Sequence, residues 1–355
     1  MEDFEKVNLT FANISSEGNQ GNEHKISWVK IIFIFIILIC GFILNSTVIF
    51  LVLAKRVKKK TINVFVVNMS VADLCSLLLY LPWRLKNYLT ENPDWQNRTD
   101  WAGGIFGDVT CKLISWFYNS TDWVSLVTLL IISVERFRAV KSIVQLPGLS
   151  RCKTASLISF TWILSGFVNL PLLIICGVRS GKTFCGCPLT KTIAAYYMGT
   201  NSLYVCLVIS ILSINLVIIR RLVRVQASYN LPEAQQVRGL QRLHSAVRMV
   251  LCSLVLFVVC TAPFYAILTL ARLEFFAEIS AIEISDDTFD AWDFIFYVNA
   301  AFGPVIYFIF LDDFRDGLKQ VIRGCVRSFR ANTQPDQPPE QPSSRLRHKP
   351  ACENG

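Results

Sequence analysis

Seven long runs of mostly apolar residues constrain this chain more than any other feature. They lie at about 28–54, 62–83, 112–136, 154–176, 193–219, 247–271 and 291–311. A helix of roughly 20 such residues crosses the hydrocarbon layer of a bilayer. Lipid offers the backbone no hydrogen-bond partner, so only helices and closed barrels can span it. A spanning barrel would show shorter, alternating segments, and the sequence has no such pattern. The expected fold class is an all-α membrane protein, a seven-transmembrane helix bundle occupying 28–311. Composition agrees: 53% of residues are hydrophobic and 17% charged, with mean hydropathy +0.44, where a soluble domain carries about 25% charge.

Charge sets the orientation. Residues 1–27 are polar, and the first apolar run is followed directly by Lys55, Arg56, Lys58, Lys59 and Lys60. A cleavable signal has a shorter core with its positive charge in front. Positive loops stay cytoplasmic, so the chain is expected to insert with an extracellular N-terminal tail (1–27) and a cytoplasmic C-terminus. The second inner loop (Arg138, Lys141, Arg151, Lys153) and the third (Arg220, Arg221, Arg224, Arg238, Arg242, Arg248 against Glu233) agree. The net charge of +9 is thus a topology signal, not a surface for nucleic acid. The sequons at Asn8, Asn13 and Asn97 fall on the outer side and are candidate glycosylation sites. Those at Asn45, Asn68 and Asn119 fall inside helices and read as chance.

After the seventh run, Phe314, Leu318, Ile322, Cys325 and Phe329 recur at helical spacing among Arg315, Lys319, Arg323 and Arg327. That pattern predicts an amphipathic eighth helix over 312–329, lying in the membrane interface, with Cys325 a candidate for palmitoylation. Residues 330–355, rich in Pro, Gln and Ser, are expected to be a disordered cytoplasmic tail. The twelve cysteines are not a disulfide scaffold. Most lie within helices or on the inner side, and Cys111, Cys176, Cys185 and Cys187 sit outside, where disulfides persist.

Charge within a bilayer costs roughly 2.5–3.5 kcal/mol at a helix centre, so intramembrane polar residues are functional candidates. In the third run Tyr118, Asp122, Ser125, Leu129, Ile132 and Arg136 follow at steps of four or three and form one stripe. At about 1.5 Å rise per residue the stripe spans most of the hydrocarbon layer. A polar outer half, an apolar belt and an inner arginine suit a protein with a site at each face.

These residues carry a resemblance. Asn45 in the first run, Asn68-Met-Ser-Val-Ala-Asp73-Leu in the second and Glu135-Arg136-Phe137 closing the third are similar to motifs of the rhodopsin-family (class A) G-protein-coupled receptors. So are Trp162 and Pro171 in the fourth run, Cys260-Thr261-Ala262-Pro263 in the sixth, and Gly303-Pro304-Val305-Ile306-Tyr307 followed by Phe314. The resemblance covers about 28–327. It implies a plasma-membrane receptor in which Glu135 restrains Arg136 at rest. Arg136 and Phe137, with Pro263, Pro304 and Tyr307, would serve activation and coupling to a heterotrimeric G protein, and arrestin and a receptor kinase would be further partners beside membrane lipid. It implies a disulfide from Cys111 to Cys187 or Cys185, with Cys187 preferred and the remaining cysteine free for Cys176. Asp73, Ser125 and Asn299 match positions that hold an allosteric sodium ion, and oxygen ligands suit such a cation. A neutral Asp73 in a buried network is the alternative. No other cofactor is expected.

Departures from the family pattern bear on this machinery. Thr261 stands where a tryptophan is usual, Gly303 where an asparagine or aspartate precedes Pro304, and Asn215 where many members have tyrosine. The absence of lysine between Glu274 and Lys319 excludes a retinal Schiff base. Tyr118 replaces the aspartate of amine receptors. The expected pocket comprises Arg84, Trp116, Tyr118, Asp122, Thr261, Phe264 and Arg272. Seven acids between Glu274 and Asp293, unrelieved by any base, would steer cations to its mouth. The expectation is a short peptide ligand with a cationic end, an amine, nucleotide or lipid being the alternatives within the family. An enzyme is disfavoured: His24, His244 and His348 all lie outside the spans, and no hydrolase or phosphate-loop motif occurs. A channel or transporter would show more ionisable residues or repeat symmetry.

Overall fold

The computed structural model describes residues 28–90, 105–141, 149–178, 185–187, 190–228, 234–277 and 286–333. The sequons Asn8, Asn13 and Asn97 and the tail beyond 333 lie outside them. Nine helices occur among the described residues: α1 (Trp28–Leu53), α2 (Thr61–Thr90), α3 (Ile105–Lys141), α4 (Arg151–Val168), α5 (Leu170–Ile175), α6 (Lys191–Ser228), α7 (Ala234–Ala277), α8 (Asp286–Phe310) and α9 (Asp312–Thr333). A short hairpin of β1 (Gly177–Val178) and β2 (Cys185–Gly186) lies between α5 and α6.

Six of these helices (α1, α2, α3, α6, α7 and α8) are each long and apolar enough to cross a membrane. The fourth expected span is divided into α4 and α5 at Asn169. Pro171 explains the break: it lacks an N–H and its ring clashes with the preceding turn, so the helix restarts with proline in its first turn. The other intramembrane prolines stay inside continuous helices. Pro304 leaves the carbonyl of Ala300 without its usual helical donor, and the Asn45 amide supplies one at 2.9 Å from α1. Asn45 thus satisfies, across the bundle, the carbonyl that Pro304 frees, where lipid offers no partner.

The outward faces are apolar and the inward faces tightly packed. In α1, Ile34, Ile37, Gly41, Asn45, Val48 and Val52 are buried, while Trp28, Phe33, Ile36 and Phe50 project outward. This arrangement suits lipid rather than water on the outer face. Gly41 lets α1 approach α8 closely, since a Cβ there would meet the Ala301 Cα at 3.1 Å. The helix α3 runs through the centre, touching α2, α4, α5, α6 and α7, and α8 closes the ring against α7, α1 and α2. The polar stripe of α3 faces inward.

The amphipathic helix forms as expected and runs on to Thr333. Phe314 is fully buried and meets Phe308 edge-on. Asp313 binds Lys60 Nζ at 2.6 Å and the Asn63 amide at 3.1 Å, joining α9 to the start of α2.

The disulfides correct the expected pairing. Cys111 joins Cys185, and Cys187, the preferred partner by resemblance, joins Cys176. The hairpin register explains this. Gly177 faces Gly186 and Val178 faces Cys185, so Cys176 and Cys187 fall opposite one another on the next rung, with Cα atoms 4.1 Å apart. Cys185 is left to tie the hairpin to α3.

Candidate functional site

Beneath the hairpin a cavity of about 370 Å³ opens between α2, α3, α6 and α7. Cys185 and Cys187 form part of its roof, and Tyr80, Tyr118, Tyr197, Tyr204 and Tyr265 dominate its walls. Helical periodicity places them: Tyr197, Asn201 and Tyr204 share one face of α6, and Phe264, Tyr265, Leu268 and Arg272 the facing side of α7. Tyr80 stacks on Tyr118 and Tyr297, with ring centroids 4.3 and 4.6 Å away.

The residues expected in the pocket separate into distinct positions. Tyr118, Phe264 and Arg272 line the cavity. Thr261 is buried below it, bonded to the Tyr204 hydroxyl at 2.6 Å, and Asp122 lies outside the lining. Thr261 therefore reaches the cavity through a tyrosine. Trp116 instead faces α4, donating its indole N–H to the Gly166 carbonyl at 2.9 Å. Gly166 has no side chain, and a Cβ there would stand 2.9 Å from the Trp116 ring.

Arg84 is committed elsewhere too. Its Nε lies 3.0 Å from Asp293 Oδ2, and the Tyr80 hydroxyl donates to both Asp293 oxygens at 3.0 and 3.3 Å. Asp293 is 1% exposed, so it is an internal counter-ion and not one of the steering charges expected at the mouth. The side chains of the other six acids of that series lie outside the described residues.

Further in, Asp73, Ser125, Ser253, Asn299, Gly303 and Tyr307 surround a space of about 10 Å³. Ser125 donates to Asp73 Oδ1 at 3.4 Å, and the buried Ser253 hydroxyl has no partner. Such a space holds about one water-sized particle. At the inner end Arg136 Nη2 pairs with Glu135 at 2.9 Å, while Arg221 lies over the Phe137 ring at 4.9 Å. Asn215 donates to Ser133 at 2.9 Å and so joins α6 to α3. The Tyr307 hydroxyl meets Met69 Sδ at 3.8 Å.

Residues 44–307 match the 7 transmembrane receptor (rhodopsin family) pattern. The chain belongs to the rhodopsin family of seven-transmembrane receptors. This receptor is 24% identical over 306 residues to the Tachykinin-like peptides receptor 99D of Drosophila melanogaster, covering 82% of the chain and 56% of that protein's length. It is 26% identical over 310 residues to the Allatostatin-A receptor of Bombyx mori, covering 84% and 81%. The Cysteinyl leukotriene receptor 2 of Homo sapiens is 26% identical over 325 residues, covering 89% and 87%.

Two features of the receptor's site were missed by motif reasoning. The tyrosine lining of α6 was readable as a polar stripe at helical spacing in an otherwise apolar run. The Arg84–Asp293 pair carries no such local signal, because its partners are 209 residues apart.

Proposed function

We propose that this receptor binds a short extracellular peptide in the outer cavity and activates a heterotrimeric G protein from its inner face. The observation that carries the reading is the continuous inward stripe of α3, from Tyr118 in the cavity wall, past Ser125 at the inner space, to Arg136. The cavity has room for the end of a peptide, not the whole of it, and the hairpin roof offers further surface. The likeness to the tachykinin-like peptide and allatostatin-A receptors supports a peptide over an amine.

At rest Glu135 holds Arg136, Asn215 holds α6 to α3, and the Tyr204–Thr261 bond joins α6 to α7 at the cavity floor. A ligand pressing on Tyr204, Phe264 and Tyr265 would break that bond and let α7 swing outward at its inner end. Pro263 and Pro304 allow such bending, Tyr307 would leave its place beside Met69, and Arg136 with Phe137 would meet the G protein. Asp73, Ser125 and Asn299 fit a sodium ion, which would stabilise the resting arrangement by neutralising charge at that point. Cys325 is exposed on α9 and would be the attachment point for palmitate. Plasma-membrane placement with the N-terminus outside, glycans on Asn8, Asn13 and Asn97, and service by arrestin and a receptor kinase complete the reading.

A lipid ligand is the second reading, favoured by the extended likeness to a cysteinyl leukotriene receptor. A pooled peptide library, a lipid library and cells expressing the receptor with several G-protein activation sensors separate the two. Activation by a peptide pool is the expected result. Activation by lipids alone would select the second reading, and solute transport without G-protein activation would overturn both.

A further inference from the structure

Among the described residues that line the outer cavity, charge is not balanced. Asp293 is taken by Arg84 and Tyr80, and Asp122 does not line the cavity. Arg272 is the one cation among the described residues that line the cavity. Its Nη1 is buried and has no hydrogen-bond partner.

The guanidinium is nevertheless held in place. Its carbon lies 3.9 Å from the centroid of the Tyr197 ring. The Tyr197 hydroxyl in turn donates to Cys187 Sγ at 4.0 Å, and Cys187 is anchored to Cys176. Stacking engages the face of the guanidinium and leaves its N–H edges for an acceptor. A buried donor left unpaired costs free energy, which an incoming acceptor recovers.

We propose that Arg272 anchors a carboxylate of the agonist, so that the ligand enters the cavity with an acidic end and not a basic one. This rests on the receptor reading above and specifies its ligand. The planar fork matches the two oxygens of a carboxylate in a bidentate pair. One cation balances one negative charge, whereas a phosphate group brings about −1.5 to −2 and would leave charge uncompensated. Tyr118, Phe264 and Leu268 offer an aromatic and apolar wall for the group next to the acid. The same carboxylate chemistry is available from a peptide or from a fatty-acid-like lipid.

The test uses the full chain in lipid nanodiscs and reads binding by the rise of its unfolding midpoint with probe concentration. One arm uses short synthetic peptides each bearing a single carboxylate, at the C-terminus or on a Glu side chain, against their amide counterparts. A second arm uses long-chain fatty acids against their methyl esters. In the wild type, neutralising the acid should weaken binding about 10- to 100-fold, the range of a charged hydrogen-bonded contact. In Arg272→Gln the acid and neutral forms should bind alike, and Arg272→Lys should restore part of the preference. A preference confined to peptides or to lipids supports the proposal and names the source. Each comparison is made within one variant, so a general loss of stability cancels. Neutral probes binding the wild type as well as acids, an acid preference that survives in Arg272→Gln, or no binding by any probe would overturn the proposal. No G protein enters the measurement, so such a failure leaves the signalling assignment standing.

Discussion

Asn68 donates to Thr128 Oγ1 at 3.0 Å and accepts the Trp162 indole N–H at 2.9 Å, so one amide joins α2, α3 and α4. Asn68→Leu would leave the Trp162 indole N–H without its acceptor, at about 1–3 kcal/mol, while Thr128 keeps its bond to the Val124 carbonyl. The expected outcome is a clearly lowered unfolding midpoint in detergent, and an unchanged midpoint would refute the assigned role. Thr261 and Tyr204 share a shorter bond, 2.6 Å, at the cavity floor. Thr261→Val keeps the volume and removes the hydroxyl, so a restraint of about 1 kcal/mol is lost. Basal G-protein signalling should rise roughly fivefold, and a sensor reading no higher than wild type would contradict the switch described for this pair. Gly303 is the third informative position. A Cβ there would have ordinary clearance, 3.8 Å from Asp73 Oδ2 and 3.9 Å from the Tyr307 hydroxyl. Gly303→Asn should therefore fold and add an oxygen beside Asp73. Replacing choline by sodium should raise the midpoint more in the variant than in the wild type. An equal response would count against a sodium ion at this point.

At the scale of elements, the hairpin shows what local pattern can and cannot reveal. Four external cysteines announced two bridges, but their pairing depended on strand register, which the spacing of the cysteines does not fix. With the register known, Cys176 and Cys187 are cross-strand neighbours and Cys111 must take Cys185. The Cys176–Cys187 bridge closes only 11 residues, so its loss costs about 3 kcal/mol of unfolded-state entropy. Its local effect should be larger than that figure suggests, because Cys187 supports Tyr197 and Tyr197 supports Arg272. Cys176→Ser with Cys187→Ser should leave the receptor folded at the cell surface and weaken agonist potency by at least tenfold. Full potency in the double variant would show that the hairpin is only a cover. The division at Asn169 was legible in principle, since Pro171 stands in the middle of an apolar run. The run's uninterrupted hydrophobicity outweighed that signal, because in lipid a proline need not end a span.

Over the whole molecule, the spans and the central stripe were legible because both depend on one-dimensional periodicity. Apolar run length marked each crossing, and steps of three and four along α3 placed Tyr118, Ser125 and Arg136 on one inward face. Pairings between distant helices were not legible. Arg84 and Asp293 read as a pocket base and a rim acid, yet each is the other's partner, and that neutralisation leaves Arg272 as the unmatched charge among the described residues that line the cavity. A large cavity outside and a small space within therefore lie along one central helix, above a paired Glu135 and Arg136. Such an arrangement communicates only if occupation of the first is felt at the last. The direct measurement is guanine-nucleotide exchange on a purified G-protein trimer added to the chain in nanodiscs, with and without a peptide pool that stabilises the chain. The pool should accelerate exchange with the wild type, and Arg136→Ala should bind the pool normally while leaving exchange at its unstimulated rate. Equal acceleration by Arg136→Ala, or a bound pool that leaves wild-type exchange unchanged, would contradict this coupling.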